Sequence, residues 1–139
     1  MNARMLILVI ILLLLFSLSF AGDKITIEDT YGTWINSDYN EVYKPAKSIY
    51  HSDGTYELYS KVTDTKPAVT GKNTITDSWY DKEGNLLIKN IWVEVGSTGY
   101  GIIKCSDSGK VWEHVEISGD FPTEMDENHT QYHIYYRQE

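Results

Sequence analysis

Short β-prone segments separated by turn residues fill the chain after residue 22. Tyr, Trp, Val, Ile and Thr dominate these segments, whereas Asp, Asn, Ser and Gly dominate the connections. Asp53-Gly54 lies between two such segments and is a strong hairpin signal. The pattern predicts no helix of normal length. It predicts eight strands, over 31–36, 48–51, 55–62, 73–80, 86–95, 100–106, 110–117 and 131–137.

The short connections determine how these strands pair. Strands joined by tight turns pair antiparallel, so the chain is expected to form an up-and-down meander. An open meander exposes two edges, and closure into a barrel removes both of them. We therefore predict an all-β fold, an eight-stranded antiparallel up-and-down barrel, with an open sandwich as the alternative. A barrel of this size is either filled by its own side chains or holds one small ligand.

The first residues have the composition of a secretory signal peptide. Arg4 precedes an apolar run over 5–16, and Ser19 and Ala21 place small residues before Gly22. We predict a signal peptide over 1–21, cut between Ala21 and Gly22, and a domain over 22–139. A retained membrane anchor is the alternative, although the run is short for a full span. No cysteine lies directly after the apolar run, where a lipoprotein would carry one. A secreted or periplasmic protein is therefore expected rather than a lipoprotein.

Charge and cysteine content narrow the possible partners. The formal net charge is −8, which argues against nucleic acid and against docking on anionic lipid. Cys105 is the only cysteine, so the domain has no internal disulfide and depends on its core. A buried Cys105 is the expected state, and pairing between molecules is the alternative. We expect a monomer.

Two positions at opposite ends of the domain resemble a known family. Gly32-Thr33-Trp34 lies at the start of the first predicted strand, and Arg137 lies in the last one. This arrangement resembles the lipocalins and the wider calycin barrels, in a compact bacterial lipocalin-like form. The resemblance implies that Trp34 plugs the closed end of the barrel and that Arg137 packs across its indole. Such a cation–π contact is worth roughly 0.5–2 kcal/mol.

Strand alternation places two carboxylates on faces that are otherwise apolar and that could point into the barrel. Asp77 shares a strand face with Ile75 and Trp79, and Glu113 shares one with Val111 and Val115. If these faces point inward, each carboxylate needs a partner or a raised pKa. The alternatives are that each binds a neighbouring Tyr or Lys, or that a bulge rotates it outward. Paired carboxylates could also cleave glycosides, but we do not expect an enzyme.

The remaining assignments follow from the same alternation. Trp112 is predicted on an outer face with Lys110, His114 and Glu116, as a possible contact surface. The four histidines have no metal-site spacing, and neither a metal nor a cofactor is expected. The residues predicted to line a ligand cavity are Tyr56, Leu58, Ile75, Asp77, Trp79, Trp92, Ile103, Glu113 and Val115.

The resemblance implies a function for the exported barrel. We expect it to bind a small apolar molecule or a lipid fragment in its interior. The alternative is a filled-core barrel that acts as a protein-interaction or inhibitor domain of the cell envelope, through its open-end loops and Trp112. No nucleic acid partner is expected in either case.

Overall fold

The computed structural model describes residues 24–37 and 45–139. The predicted signal peptide, 1–21, and its cleavage site lie outside the described residues. Two short 3-10 helices, Ile27–Thr30 and Asp107–Gly109, accompany the strands. The strands are β1 (Gly32–Asn36), β2 (Lys47–Tyr50), β3 (Thr55–Tyr59), β4 (Val69–Tyr80), β5 (Leu86–Glu94), β6 (Ser97–Ser106), β7 (Val111–Ser118) and β8 (Tyr132–Arg137).

The strands form a closed antiparallel barrel in the order β1 to β8. Each strand pairs with the next along the chain, and β8 pairs with β1 to close the ring. The predicted all-β, eight-stranded antiparallel barrel is confirmed. Successive connections alternate between the two ends, which we call the floor and the mouth. The floor carries segments 51–54, 81–85 and 107–110, and the mouth carries 60–68, 95–96 and 119–131.

Trp34 fills the floor of the barrel. Its side chain is fully buried, with 0% of its surface exposed. The indole Nε1 donates a hydrogen bond of 3.0 Å to the carbonyl of Thr30, at the end of the first 3-10 helix. Trp112 meets it edge-on, with ring centroids 5.1 Å apart. The segment before β1 is therefore tied to the floor through the indole.

Arg137 lies across this indole, at the contact that the lipocalin resemblance implies. Its guanidinium carbon is 5.6 Å from the Trp34 ring centroid. The same group donates to the carbonyl of Asp29 at 2.7 Å and to that of Tyr31 at 2.8 Å. Gly32 has φ +120°, and the guanidinium lies 3.4 Å from where a Cβ would sit. Glycine is therefore favoured here by the backbone conformation, while a Cβ would only touch the arginine.

A β-bulge divides β4 into two parts with opposite orientations. The pairing with β5 shifts register between Ile75 and Asp77, where Thr76 is the extra residue. Ile75 packs against the core, but Asp77 is exposed and Trp79 is 36% exposed. The bulge turns Asp77 and Trp79 outward, which for Asp77 is the alternative that the sequence left open. The predicted place of these two side chains in the cavity lining is therefore wrong.

The predicted orientation of β7 is also wrong. Trp112 is 2% exposed and belongs to the core, and His114 and Glu116 follow it on the inner face. Glu113 and Val115 therefore lie on the outer face of the barrel. The expected outer contact surface around Trp112 does not exist, because that side chain lies under Trp34 and Tyr50.

The connection 119–131 explains why the alternation of polar and apolar residues in β7 predicted the wrong inner face for this strand. It lies over the outside of β6 and β7, where Val115 and Ile117 share a recess with Phe121. Phe121 also meets Tyr100 edge-on, with ring centroids 5.3 Å apart. Val115 is consequently 1% exposed although it lies outside the barrel. Apolar residues on this outer face thus have the burial normally found on the inner face.

Three further details complete the fold. The β5–β6 turn is shorter than predicted, because β6 already begins at Ser97 and Gly96 takes φ +82° at the tip. Cys105 is buried in the core, and burial raises the pKa of its thiol to about 11. No helix within 24–37 and 45–139 is both long and apolar enough to cross a membrane.

Candidate functional site

A cavity of about 170 Å³ lies inside the barrel at the mouth. We call it the mouth cavity. Trp92 and Leu58 supply apolar surface, whereas two glutamates and two histidines supply ionisable groups. This mixture differs from the floor, where Trp34 and Ile88 are fully buried in a packed core. The lining is formed by Pro45, Tyr50, Tyr56, Leu58, Trp92, Glu94, His114, Glu116, Gln131, His133 and Tyr135.

Glycines in the wall make room for the large side chains of this cavity. A Cβ on Gly99 would collide with the carboxyl group of Glu116, and one on Gly101 would collide with the Trp92 ring. Glycine within a strand normally weakens it, and here it allows a side chain to lie flat against the backbone. Gly99 and Gly101, which are neighbours on the inner face of β6, therefore determine the positions of the Glu116 carboxylate and the Trp92 indole.

The two carboxyl groups of the mouth cavity have different environments. Glu94 accepts a hydrogen bond of 2.7 Å from the Tyr56 hydroxyl. Glu116 has no such donor among the described contacts, and 40% of its side-chain surface is exposed. Burial, followed by the negative charge of Glu94, raises the pKa of Glu116 to about 7. Glu116 therefore changes charge near neutral pH.

His114 is a neutral imidazole facing the same cavity. It is 7% exposed, and its ring lies 4.4 Å from the Trp92 ring, centroid to centroid. Burial, and then the neighbouring His133, lowers its pKa to about 3. Its Nε2 lies 3.7 Å from the Glu116 carboxylate, which is too far for a hydrogen bond. Nε2 has no hydrogen-bond partner among residues 24–37 and 45–139.

Three tyrosines complete the polar surface. Burial is the main cause that raises the pKa of Tyr50, Tyr56 and Tyr135 well above the ordinary tyrosine value. The hydroxyls of these side chains therefore stay protonated at every physiological pH. The hydroxyls of Tyr50 and Tyr135 can donate hydrogen bonds to a ligand, whereas that of Tyr56 already donates to Glu94. All three tyrosines offer ring faces to a ligand.

The structure brings together only part of the predicted cavity set. Tyr56, Leu58 and Trp92 line the mouth cavity, whereas Ile103 lies in the core and Ile75 packs against the core. Their role in binding a ligand stays a prediction.

The other four predicted residues lie on the outside, Asp77 and Trp79 through the bulge, Glu113 and Val115 through the orientation of β7. Glu113 pairs with Lys104 at 3.0 Å and accepts a hydrogen bond from Tyr132 at 2.6 Å. This is the arrangement that the sequence left open as the alternative. Asp77 and Glu113 do not form a catalytic pair.

Alternation alone missed Glu94, Glu116, His114 and His133. The sequence signal that could have found them is the pair of glycines in β6, because a glycine inside a strand often marks a close approach by a large side chain. Gly101 is the strand partner of Glu116, so a correct register would have placed this carboxylate on the inner face.

No protein-family model, no curated protein and no solved structure matches this chain. What supports the lipocalin-like resemblance is the closed eight-stranded barrel together with the Trp34–Arg137 contact. A group of three or more side chains able to hold a metal ion is not found within 24–37 and 45–139.

Proposed function

We propose that this protein binds a small molecule in the mouth cavity. The observation that carries the proposal is the convergence of aromatic rings and ionisable side chains on one cavity, beside a floor that is filled. Ligand sites are mostly aromatic or apolar concave surfaces with a few convergent polar groups. Perturbed pKa values concentrate at functional sites, and those of Glu116 and His114 are shifted in opposite senses.

The size and polarity of the cavity restrict the ligand. A cavity of roughly 150 Å³ accommodates a benzene ring, and drug-sized ligands need roughly 300 Å³ or more. At about 170 Å³ the mouth cavity suits a molecule of ring size, or one end of a larger molecule. Two carboxyl groups in the lining favour a ligand with a polar group over a plain hydrocarbon chain. The ligand that we propose is therefore smaller and more polar than the apolar molecule or lipid fragment expected from the sequence.

We also propose where in or outside the cell the protein binds this ligand. The predicted signal peptide supports a role outside the cytoplasm, in the periplasm or the medium. We propose binding rather than catalysis, since the described lining residues offer polar contacts and include no nucleophile activated by a neighbouring base.

The test is native mass spectrometry of the protein purified from its own host, followed by solvent extraction. We expect a bound small molecule that is absent from Leu58→Trp, a substitution that fills the cavity. Val62→Trp is the matched control, because Val62 is 44% exposed and lies outside the lining. An apo mass for the wild type, or equal retention by Leu58→Trp, would refute the proposal. The first of these results would favour a filled interaction or inhibitor domain.

A further inference from the structure

The charge among the described residues that line the mouth cavity is unbalanced. Glu94 and Glu116 both face it, and no lysine or arginine occurs among the described lining residues. His114 stays neutral and supplies no compensating charge. A partly buried carboxylate without a cationic partner loses part of its hydration, and a cation in the cavity would offset that loss.

A second, independent feature also indicates a missing partner. The ring of His114 lines the cavity, and its Nε2 atom is buried and unpartnered among residues 24–37 and 45–139, in a side chain that is 9% exposed. Buried polar atoms in native proteins are almost always hydrogen-bonded. With its ring proton on Nδ1, the imidazole offers an acceptor close to the Glu116 carboxylate.

Aromatic rings form much of the rest of the wall. Trp92, Tyr50 and Tyr56 all line the cavity, and the last two stack with centroids 5.7 Å apart. Ring faces attract cations, most strongly in desolvated sites. An ammonium group has up to three donors, which suits the carboxylates and the imidazole, while an apolar body suits the rings.

We propose that the ligand of the mouth cavity is a small primary amine in its ammonium form, held by Glu116 and Glu94 with its apolar body against Trp92. This inference rests on the proposed function and specifies the chemistry of its ligand. Benzylamine, with one ring and one ammonium group, has the size that the cavity takes.

Proton release accompanies binding in this scheme. Ammonium binding favours the ionised carboxylate, so a protonated Glu116 loses its proton to the buffer. Because the pKa of Glu116 is about 7, benzylamine affinity should fall about tenfold between pH 8 and pH 6. Among the described residues, the titratable groups that face Glu116 in the mouth cavity are Glu94 on β5, His114 on β7, His133 and Tyr135 on β8, Tyr50 on β2 and Tyr56 on β3. His129 of the connection 119–131 lines a neighbouring recess together with Glu116.

The experiment compares three probes of the same shape and different charge. Benzylamine, benzyl alcohol and benzoate are titrated into the purified protein at pH 8 by calorimetry. The indole N–H signal of Trp92 in NMR spectra reports on the cavity, and that of Trp79 reports on the outer face. We expect benzylamine to shift the Trp92 signal and to bind at least about tenfold more tightly than benzyl alcohol, as a charge-assisted hydrogen bond implies.

Two matched variants locate the effect. Glu116→Gln should remove most of the preference for benzylamine and flatten its pH profile. Glu113→Gln removes a carboxylate from the outer face of the same strand. It should change neither the preference for benzylamine nor the pH profile of benzylamine binding. If Glu116→Gln does not fold, the wild-type pH profile provides the test, and a flat profile overturns the inference.

The possible failures are distinguishable. If benzyl alcohol or benzoate binds at Trp92 as tightly as benzylamine, the ammonium inference fails and the proposed function stands. If benzylamine leaves the Trp92 signal unchanged, the inference is again overturned. Native mass spectrometry then decides the proposed function independently.

Discussion

Replacing Trp34 by alanine tests the floor of the barrel most sharply. The side chain is 0% exposed, and truncation of a buried tryptophan costs about 3–5 kcal/mol. The substitution also removes the donor to the Thr30 carbonyl and the ring beneath the Arg137 guanidinium. Losing these two contacts places the expected loss in the upper half of that range, about 4–5 kcal/mol.

The assay is urea unfolding followed by circular dichroism. For a small domain the slope is about 1–3 kcal/mol per molar urea, and at a slope of about 2 kcal/mol per molar the midpoint should fall by about 2 M. Trp79→Ala is the matched control, because Trp79 lies on the outer face beyond the bulge and is 36% exposed. We expect that variant to lose no more than about 1 kcal/mol. Equal losses in the two variants, or less than about 1 kcal/mol for Trp34→Ala, would refute this account of the floor.

Three further predictions concern pH, a wall glycine and the bulge. Because the pKa of buried His114 is lowered to about 3 from 6.5, its contribution to stability is present above pH 6.5 and is lost as pH falls toward 3. Wild type should lose about 2 kcal/mol more than His114→Phe between pH 7.5 and 5 in urea unfolding, and parallel losses would contradict this. Gly99→Ala should push Glu116 outward and lower its pKa toward 4.5 in a carbon-13 NMR titration; an unchanged titration would show that the carboxylate does not lie on this glycine. Deleting Thr76, the bulge residue, should regularise the strand at a cost below about 1 kcal/mol, and a loss of several kcal/mol would show that it is a regular ladder residue.

The strand order was predictable because turn residues and β-prone segments alternate so regularly. Closure of the barrel followed from the need to remove exposed edges, and Trp34 and Arg137 indicated which end is closed. Burial of Trp34 and of Cys105 agrees with what the sequence led us to expect. These features depend on local pattern and on topology, both of which the sequence carries directly.

The direction of individual side chains was harder to predict, for two physical reasons. The Thr76 bulge inserts one residue and reverses every later side chain of β4, which alternation cannot detect. In β7 both faces are buried, one by the core and one by the connection around Phe121, so apolarity does not identify the inner face. The candidate site was therefore found only in part, through Tyr56, Leu58 and Trp92.

The most direct test of the central claim is a crystal structure of the purified protein with benzylamine at pH 8. The account predicts density in the mouth cavity, with the amine nitrogen at hydrogen-bonding distance from the Glu116 carboxylate and the ring against Trp92. Collapse of Trp92 and Tyr56 into a filled mouth, or benzylamine bound only on the outer face, would contradict it.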